Sequence, residues 1–65
     1  MKEVRHNVQQ FSLYSLDIKY ALQERLNNIA RDGFEVISVS ITDVRRGEEF
    51  LFSSITVISR KEYEI

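Results

Sequence analysis

The spacing of apolar residues changes at Gly33, from the period of an α-helix to that of a β-strand. Before Gly33, apolar residues recur three and four positions apart, which predicts a helix over residues 16–32 with one apolar face. Gly33 suits the position after the helix, because glycine readily adopts the left-handed conformation that ends many helices. Ser15, or alternatively Asp17, is the predicted N-cap. The apolar face consists of Ile18, Ala21, Leu22, Leu26, Ile29 and Ala30.

Two segments in the C-terminal half are rich in β-branched residues, which predicts strands over residues 34–44 and 50–60. The polar segment between them contains Gly47, so the two strands should form a hairpin. A weaker alternation of apolar and polar residues predicts a first strand over residues 4–11. Residues 61–65 are predicted to be a tail.

The register of the hairpin follows from how its apolar residues pack. An odd number of loop residues places Val39 opposite Ile55, and Ile37 then lies opposite Val57. An even number would mix apolar and polar residues on both faces, so we predict the odd loop, with Gly47 at a positive φ or a bulge. The helix should pack on the resulting aliphatic face. That face consists of Ile37, Val39, Ile41, Leu51, Ile55 and Val57.

The order of elements also predicts how they are connected. A right-handed crossover through the helix makes the first two strands parallel, and the third strand fits between them, as in the split βαβ unit. The sequence therefore predicts a single α+β domain over residues 1–65, with β-α-β-β order, a three-stranded sheet of order 1-3-2 and one helix packed on one face. Both outer strands would be open edges, which can pair with a second copy.

One helix cannot cover both faces of this sheet. The predicted uncovered face mixes large apolar side chains with small hydroxyl ones, which is typical of a contact surface. Single exposed aromatic residues are ordinary on antiparallel sheets, but three phenylalanines on one face exceed such a scatter. The predicted interface consists of Phe34, Val36, Phe50, Phe52 and Ile58.

The small size of the chain also favours association with another copy. A domain of 65 residues buries only about 60% of its unfolded surface, and disulfides, a metal or oligomerisation often support such domains. There is no cysteine and His6 is the only histidine, so we predict neither disulfides nor a metal site. Homo-oligomerisation is the support that remains, with a stable monomer as the alternative.

Charge and motifs argue against several functions. The net charge is −1, and acidic residues beside Arg45 and Arg46 offset the attraction that nucleic acids require. His6 has no accompanying nucleophile turn, and no glycine-rich phosphate loop is present, so we predict a protein without enzymatic activity or cofactor. No apolar run is long enough for a membrane span or a secretory signal, which predicts a cytoplasmic protein.

A family resemblance lies at the helix exit, where the chain reads Ala30-Arg31-Asp32-Gly33-Phe34-Glu35-Val36-Ile37-Ser38-Val39. This run resembles the family catalogued as domain of unknown function 4177, which comprises short bacterial and phage proteins. Residues 55–61 are similar to the last strand and basic ending of that family. The chain differs from it in having Phe34 where tryptophan is usual, and in a polar first strand. The resemblance implies a β-α-β-β fold and a bacterial or phage cytoplasmic setting, but no reaction and no site residues.

Two functional hypotheses follow from the sequence. The first is a non-enzymatic, self-associating binding module, a regulator or inhibitor that acts by protein binding. The alternative is an oligomeric sequestering protein, in which Arg45, Arg46 and His6 from several subunits hold an anionic small molecule or nucleotide.

Overall fold

The elements follow one another as strand, helix, strand and strand in a computed structural model that describes residues 1–15 and 17–65. The elements are β1 at Lys2–Leu13, α1 at Lys19–Arg31, β2 at Glu35–Arg46 and β3 at Glu49–Glu64. The strands form one antiparallel sheet in the order β1-β3-β2, and α1 packs on one face of it. The predicted α+β class and strand order are therefore confirmed.

The elements differ from the sequence prediction mainly at their ends. β3 continues through the predicted tail at residues 61–65 as far as Glu64. It does so because Glu64 pairs with Lys2 at the start of β1. The predicted helix start at Leu16 lies outside the described residues, and α1 begins at Lys19.

The hairpin between β2 and β3 turns through Gly47 and Glu48 alone, so the predicted odd loop is wrong. An extra residue in β3, Leu51, forms a bulge that shifts the register by one residue. Beyond this bulge Val39 lies opposite Val57. The aliphatic residues of the two strands thus share one face, as predicted, but in a register two residues away from the expected one. Gly47 has a φ of 64°, positive as predicted.

A second bulge, in β2, changes which side chains lie beneath the helix. The extra residue is Ile37, between Val36 and Ser38. Because a bulge reverses the alternation of side chains along its strand, Phe34 and Val36 pack against the core on the α1 side of the sheet. The prediction that both lie on the uncovered face is therefore wrong.

The N-terminus of α1 is held by side chains that precede its N-cap. Ile18 occupies the N-cap position and makes no side-chain capping bond. The Asp17 carboxylate accepts a hydrogen bond from the backbone N–H of Lys19 at 3.4 Å, and Ser15 Oγ accepts one from the N–H of Asp17 at 3.2 Å. Ser15 and Asp17 therefore act near the helix start, but neither is the N-cap that the sequence predicts.

Gly33 terminates α1 as predicted, and it occupies the C′ position after the C-cap residue Asp32. Gly33 has a φ of 87°, and its N–H donates to the carbonyl oxygen of Ala30 at 3.0 Å. The N–H of Phe34 donates to the carbonyl oxygen of Ile29 at 3.2 Å. This pair of bonds is the Schellman arrangement, and Phe34 and Ile29 also meet in the core.

Lys61 of β3 fixes the same end of the helix. Its Nζ donates a hydrogen bond to the carbonyl oxygen of Asp32 at 2.8 Å, and lies 5.4 Å from the ring centroid of Phe34. A Cβ atom added to Gly33 would lie 3.2 Å from Lys61 Cε. The helix end and the central strand are thus in close contact at this point.

Replacing Gly33 by alanine should lower the stability more than replacing Gly47 by alanine. Both glycines have positive φ, which costs about 1–2 kcal/mol for a residue with a Cβ atom. At Gly33 the new methyl group would also press on Lys61, whereas no atom lies within 4 Å of it at Gly47. Thermal unfolding at equal protein concentrations measures both losses. Equal losses would contradict the close contact with Lys61.

The apolar core is small and the molecule is elongated. Ile29, Ile55 and Val57 are its buried apolar side chains. The radius of gyration is 14.5 Å, against about 11 Å for a compact chain of this length. The molecule measures 52 × 19 × 12 Å, whereas a 13-residue helix covers only about 20 Å of that length. Seven half-buried residues surround the core, namely Phe11, Leu13, Ile18, Leu22, Leu26, Phe34 and Val36.

Candidate interaction surfaces

The residues predicted to hold an anion lie at opposite ends of the sheet. Arg45 pairs with Phe50 near the hairpin tip, with Arg46 beside it, whereas His6 pairs with Arg60. The ten residues from Phe50 to Arg60 correspond to about 33 Å along β3. One chain therefore does not bring Arg45, Arg46 and His6 together.

Carboxylates offset part of the positive charge in both places. Arg45 Nη2 lies 3.5 Å from Asp43 Oδ2, and its guanidinium lies 5.7 Å from the ring centroid of Phe50. Arg60 Nε donates a hydrogen bond to Glu35 Oε2 at 3.0 Å. An anion at either place would compete with a carboxylate already present.

Two searches for other chemistry gave negative results over the part of the chain that the structure describes. No three residues of the types His, Cys, Asp and Glu lie together so that they could hold a metal ion. No helix within residues 1–15 and 17–65 is long and apolar enough to span a bilayer.

The face of the sheet opposite α1, here called the open face, bears part of the predicted interface. Phe52 and Ile58 are half-buried on it, and the ring of Tyr14 lies 5.6 Å from that of Phe52. Val8 is directly opposite Ile58 and is 65% exposed. Between these apolar ends the face carries small hydroxyl side chains, at Ser38, Ser40, Thr42, Ser54 and Thr56.

The remaining predicted interface residues lie elsewhere. Phe50 is opposite Arg45 and Phe52 is opposite Val44. Because consecutive residues of β2 point to opposite faces, the Leu51 bulge places these two phenylalanines on opposite sides of the sheet. Phe50 is thus on the α1 side, in addition to Phe34 and Val36. The predicted set of five residues therefore does not form one surface.

A second apolar surface lies on the α1 side of the sheet. It is exposed, although the sequence predicts that the helix covers it. We call it the β2 strip, and it consists of the exposed residues Ile37, Val39 and Ile41. Val39 is 36% exposed and Ile41 is 48% exposed, although their partners across β3, Val57 and Ile55, are fully buried. The helix therefore covers the central strand β3 and leaves the side chains of Ile37, Val39 and Ile41 in β2 exposed.

Side-chain contacts with β1 account for part of this gap. Phe11 and Leu13 of β1 pack against the core, and the guanidinium of Arg25 in α1 lies 4.5 Å from the ring centroid of Phe11. The periodicity of the sequence identifies the apolar face of the helix, but it does not specify which strands that face covers. The β2 strip could not have been located from the pattern alone.

The two outer strands also differ in charge. Residues 2–10 of β1 are charged or carry polar groups, except Val4 and Val8. Residues 37–42 of β2 have no charged side chain and are β-branched residues or serines. Charged side chains on an outer strand discourage pairing with another chain, and they protect the first residues of β1. The rest of β1 is uncharged but has few β-branched residues, whereas residues 37–42 of β2 have four of them in six positions.

Comparison of the chain with models of protein families, with curated proteins and with solved structures finds no match. The resemblance to domain of unknown function 4177 therefore stays a prediction.

Proposed function

We propose that this protein is a non-enzymatic binding module that works as a homo-oligomer. The observation that supports it best is the accessible surface of the single chain, which is 5126 Å². A folded monomer of 7.7 kDa would expose about 4300 Å². The excess of about 800 Å² arises from the elongated shape of the chain, and it is of the size that one partner contributes to a standard interface.

The small core supports the same proposal. A chain shorter than about 70 residues rarely obtains more than about 3–5 kcal/mol of stability from its own core. Within residues 1–15 and 17–65, only Ile29, Ile55 and Val57 are buried apolar residues. Association with a second copy adds stability, because the partner binds the folded chain and not the unfolded one. Association thus adds free energy of unfolding that the small core of the elongated monomer does not supply.

The activity that follows from such surfaces is protein binding. The β2 strip and the open face expose aliphatic and aromatic side chains on a rigid sheet, which is typical of surfaces that contact other proteins. A regulator or inhibitor that acts by binding a protein would use whichever of these surfaces self-association leaves free.

Light scattering coupled to chromatography tests the proposal. We expect a mass that is a multiple of 7.7 kDa at micromolar concentration, and a lower mass on dilution. The melting temperature should rise with protein concentration, since mass action favours the associated state. A mass of one chain at every concentration would overturn the proposal.

Sequestration of an anionic small molecule or nucleotide stays the alternative proposal. It requires Arg45, Arg46 and His6 from different chains, since one chain holds them far apart. Thermal shift with a series of nucleotides separates the two proposals. A bound nucleotide raises the melting temperature as its concentration increases, whereas a module that binds only proteins shows no shift.

A further inference from the structure

We propose that two copies of the chain pair through the outer edge of β2, antiparallel and centred on Ser40, so that two three-stranded sheets become one continuous sheet. This inference rests on the proposed self-association and names the surface that carries it. The partner is a second copy of this chain.

The difference between the two outer strands selects β2. A free strand edge presents unpaired N–H and C=O groups that another strand can bond, and charged side chains normally prevent this. β1 carries three charged side chains among its first four residues and amide side chains at Asn7, Gln9 and Gln10, whereas residues 37–42 of β2 carry neither kind. Uncharged runs of β-branched residues without proline are the segments that pair most readily.

The β2 strip supplies the apolar contact for this pairing. A twofold axis perpendicular to the sheet keeps both α1 helices on the same side, so the β2 strips of the two copies meet between them. Val39 and Ile41 are 36% and 48% exposed in the single chain. Pairing places each of them beside an aliphatic side chain of the partner, which removes apolar surface from water.

The register follows from the side chains that would face each other. Centring on Ser40 places Val39 opposite the partner's Ile41, and Ser38 opposite the partner's Thr42. Aliphatic residues then face aliphatic residues, and hydroxyl residues face hydroxyl residues. A shift of one residue places helix-side aliphatic residues against hydroxyl residues of the open face. In the register centred on Ser40, the paired stretch runs from Ser38 to Thr42 and ends before the bulged Ile37 would meet the partner's Asp43. A shift of two residues brings one of these two inside the paired stretch, either Asp43 opposite Val39 or Ile37 opposite Ile41.

A single cysteine tests this register, because the chain has no cysteine of its own. Two residues at position 40 would face each other with Cα atoms about 4.5–5.5 Å apart, within the range of a disulfide. Ser40→Cys should therefore form a disulfide dimer rapidly under mild oxidation. The matched control is Ser38→Cys, on the same strand and the same open face. Its two copies would lie about 13 Å apart, too far for a disulfide.

The outcomes separate this inference from the proposed function. Both serines are exposed, and circular dichroism verifies that each variant keeps the helix. Rapid cross-linking of Ser40→Cys, and slow cross-linking of Ser38→Cys, is the expected result. If the unmodified protein is oligomeric but the two variants cross-link at equal rates, pairing around Ser40 is overturned and self-association stands. If the unmodified protein is monomeric, both are overturned.

Discussion

Replacing Ile55 by alanine should unfold most of the protein at room temperature. Ile55 is fully buried in the central strand, between Phe11 of β1 and Ile41 of β2. Removing such a side chain typically costs about 2–5 kcal/mol. A core in a chain this small supplies about 3–5 kcal/mol in total, so the loss is comparable to the whole stability. Circular dichroism in increasing urea measures it, with a reduced helix signal expected even without urea.

Ile65→Ala is the matched control for this prediction. It removes the same atoms from a residue that is 72% exposed, and it leaves the backbone bond from the Ile65 N–H to the Met1 carbonyl oxygen in place. Exposed substitutions usually change stability by less than about 0.5 kcal/mol. If the two variants lost equal stability, Ile55 would not be the centre of the core.

Replacing Val39 by lysine should dissociate the oligomer while preserving the fold of the single chain. Val39 is partly exposed on the outer strand, so the monomer accommodates a longer charged side chain in water. In the paired state the ammonium group would enter the joined β2 strips, where its burial without a partner charge costs several kcal/mol. Because each 1.4 kcal/mol is about tenfold in affinity, we expect the dissociation constant to rise at least about a hundredfold.

Two matched variants distinguish the edge of β2 from the other surfaces. Val8→Lys makes the same change on β1, at a residue that is 65% exposed, and should leave the oligomer intact. Phe52→Glu introduces a charge on the open face and should do the same. Light scattering at equal concentrations measures all three. Dissociation by Val8→Lys or Phe52→Glu, with Val39→Lys still oligomeric, would assign association to β1 or to the open face instead.

The strand order and the helix exit are the parts of the fold that could be predicted from the sequence. Gly33 marks the change of period and also supplies the positive φ of the helix end, so two independent signals coincide at one residue. The order β1-β3-β2 follows once the elements are identified, because the helical crossover makes β1 and β2 parallel and the hairpin strand β3 fits between them. These features depend on local conformation and on general chirality.

The two bulges could not be predicted, and they account for most of the errors about the faces. Neither Ile37 nor Leu51 is a glycine, and each lies within a run of residues that suits a strand in either alternation. Each bulge reverses the side chains beyond it. This is why Phe34 and Val36 lie against the core and why Phe50 is on the opposite side of the sheet from Phe52.

The extension of β3 to Glu64 is indicated in the sequence by alternating cations and aromatic residues, and not by alternating apolar residues. Lys61 and Tyr63 lie on the same face, and Arg5 of β1 lies 4.9 Å from the ring centroid of Tyr63. Cation–π pairs of this type contribute about 0.5–1 kcal/mol at exposed sites. A search for alternating cations and aromatic residues in the two terminal segments would have suggested that residues 61–65 belong to a strand.

The sheet order has a consequence for how the protein folds during synthesis. β1 is bonded only to β3, and Lys2 pairs with Glu64. β1 is therefore synthesised before the strand with which it pairs, and pairing between segments this distant in the sequence is slow. During that interval the backbone N–H and C=O groups of β1 lack the hydrogen bonds that β3 provides in the sheet. The polar side chains of Asn7, Gln9 and Gln10 lower the apolar surface that β1 exposes during that interval.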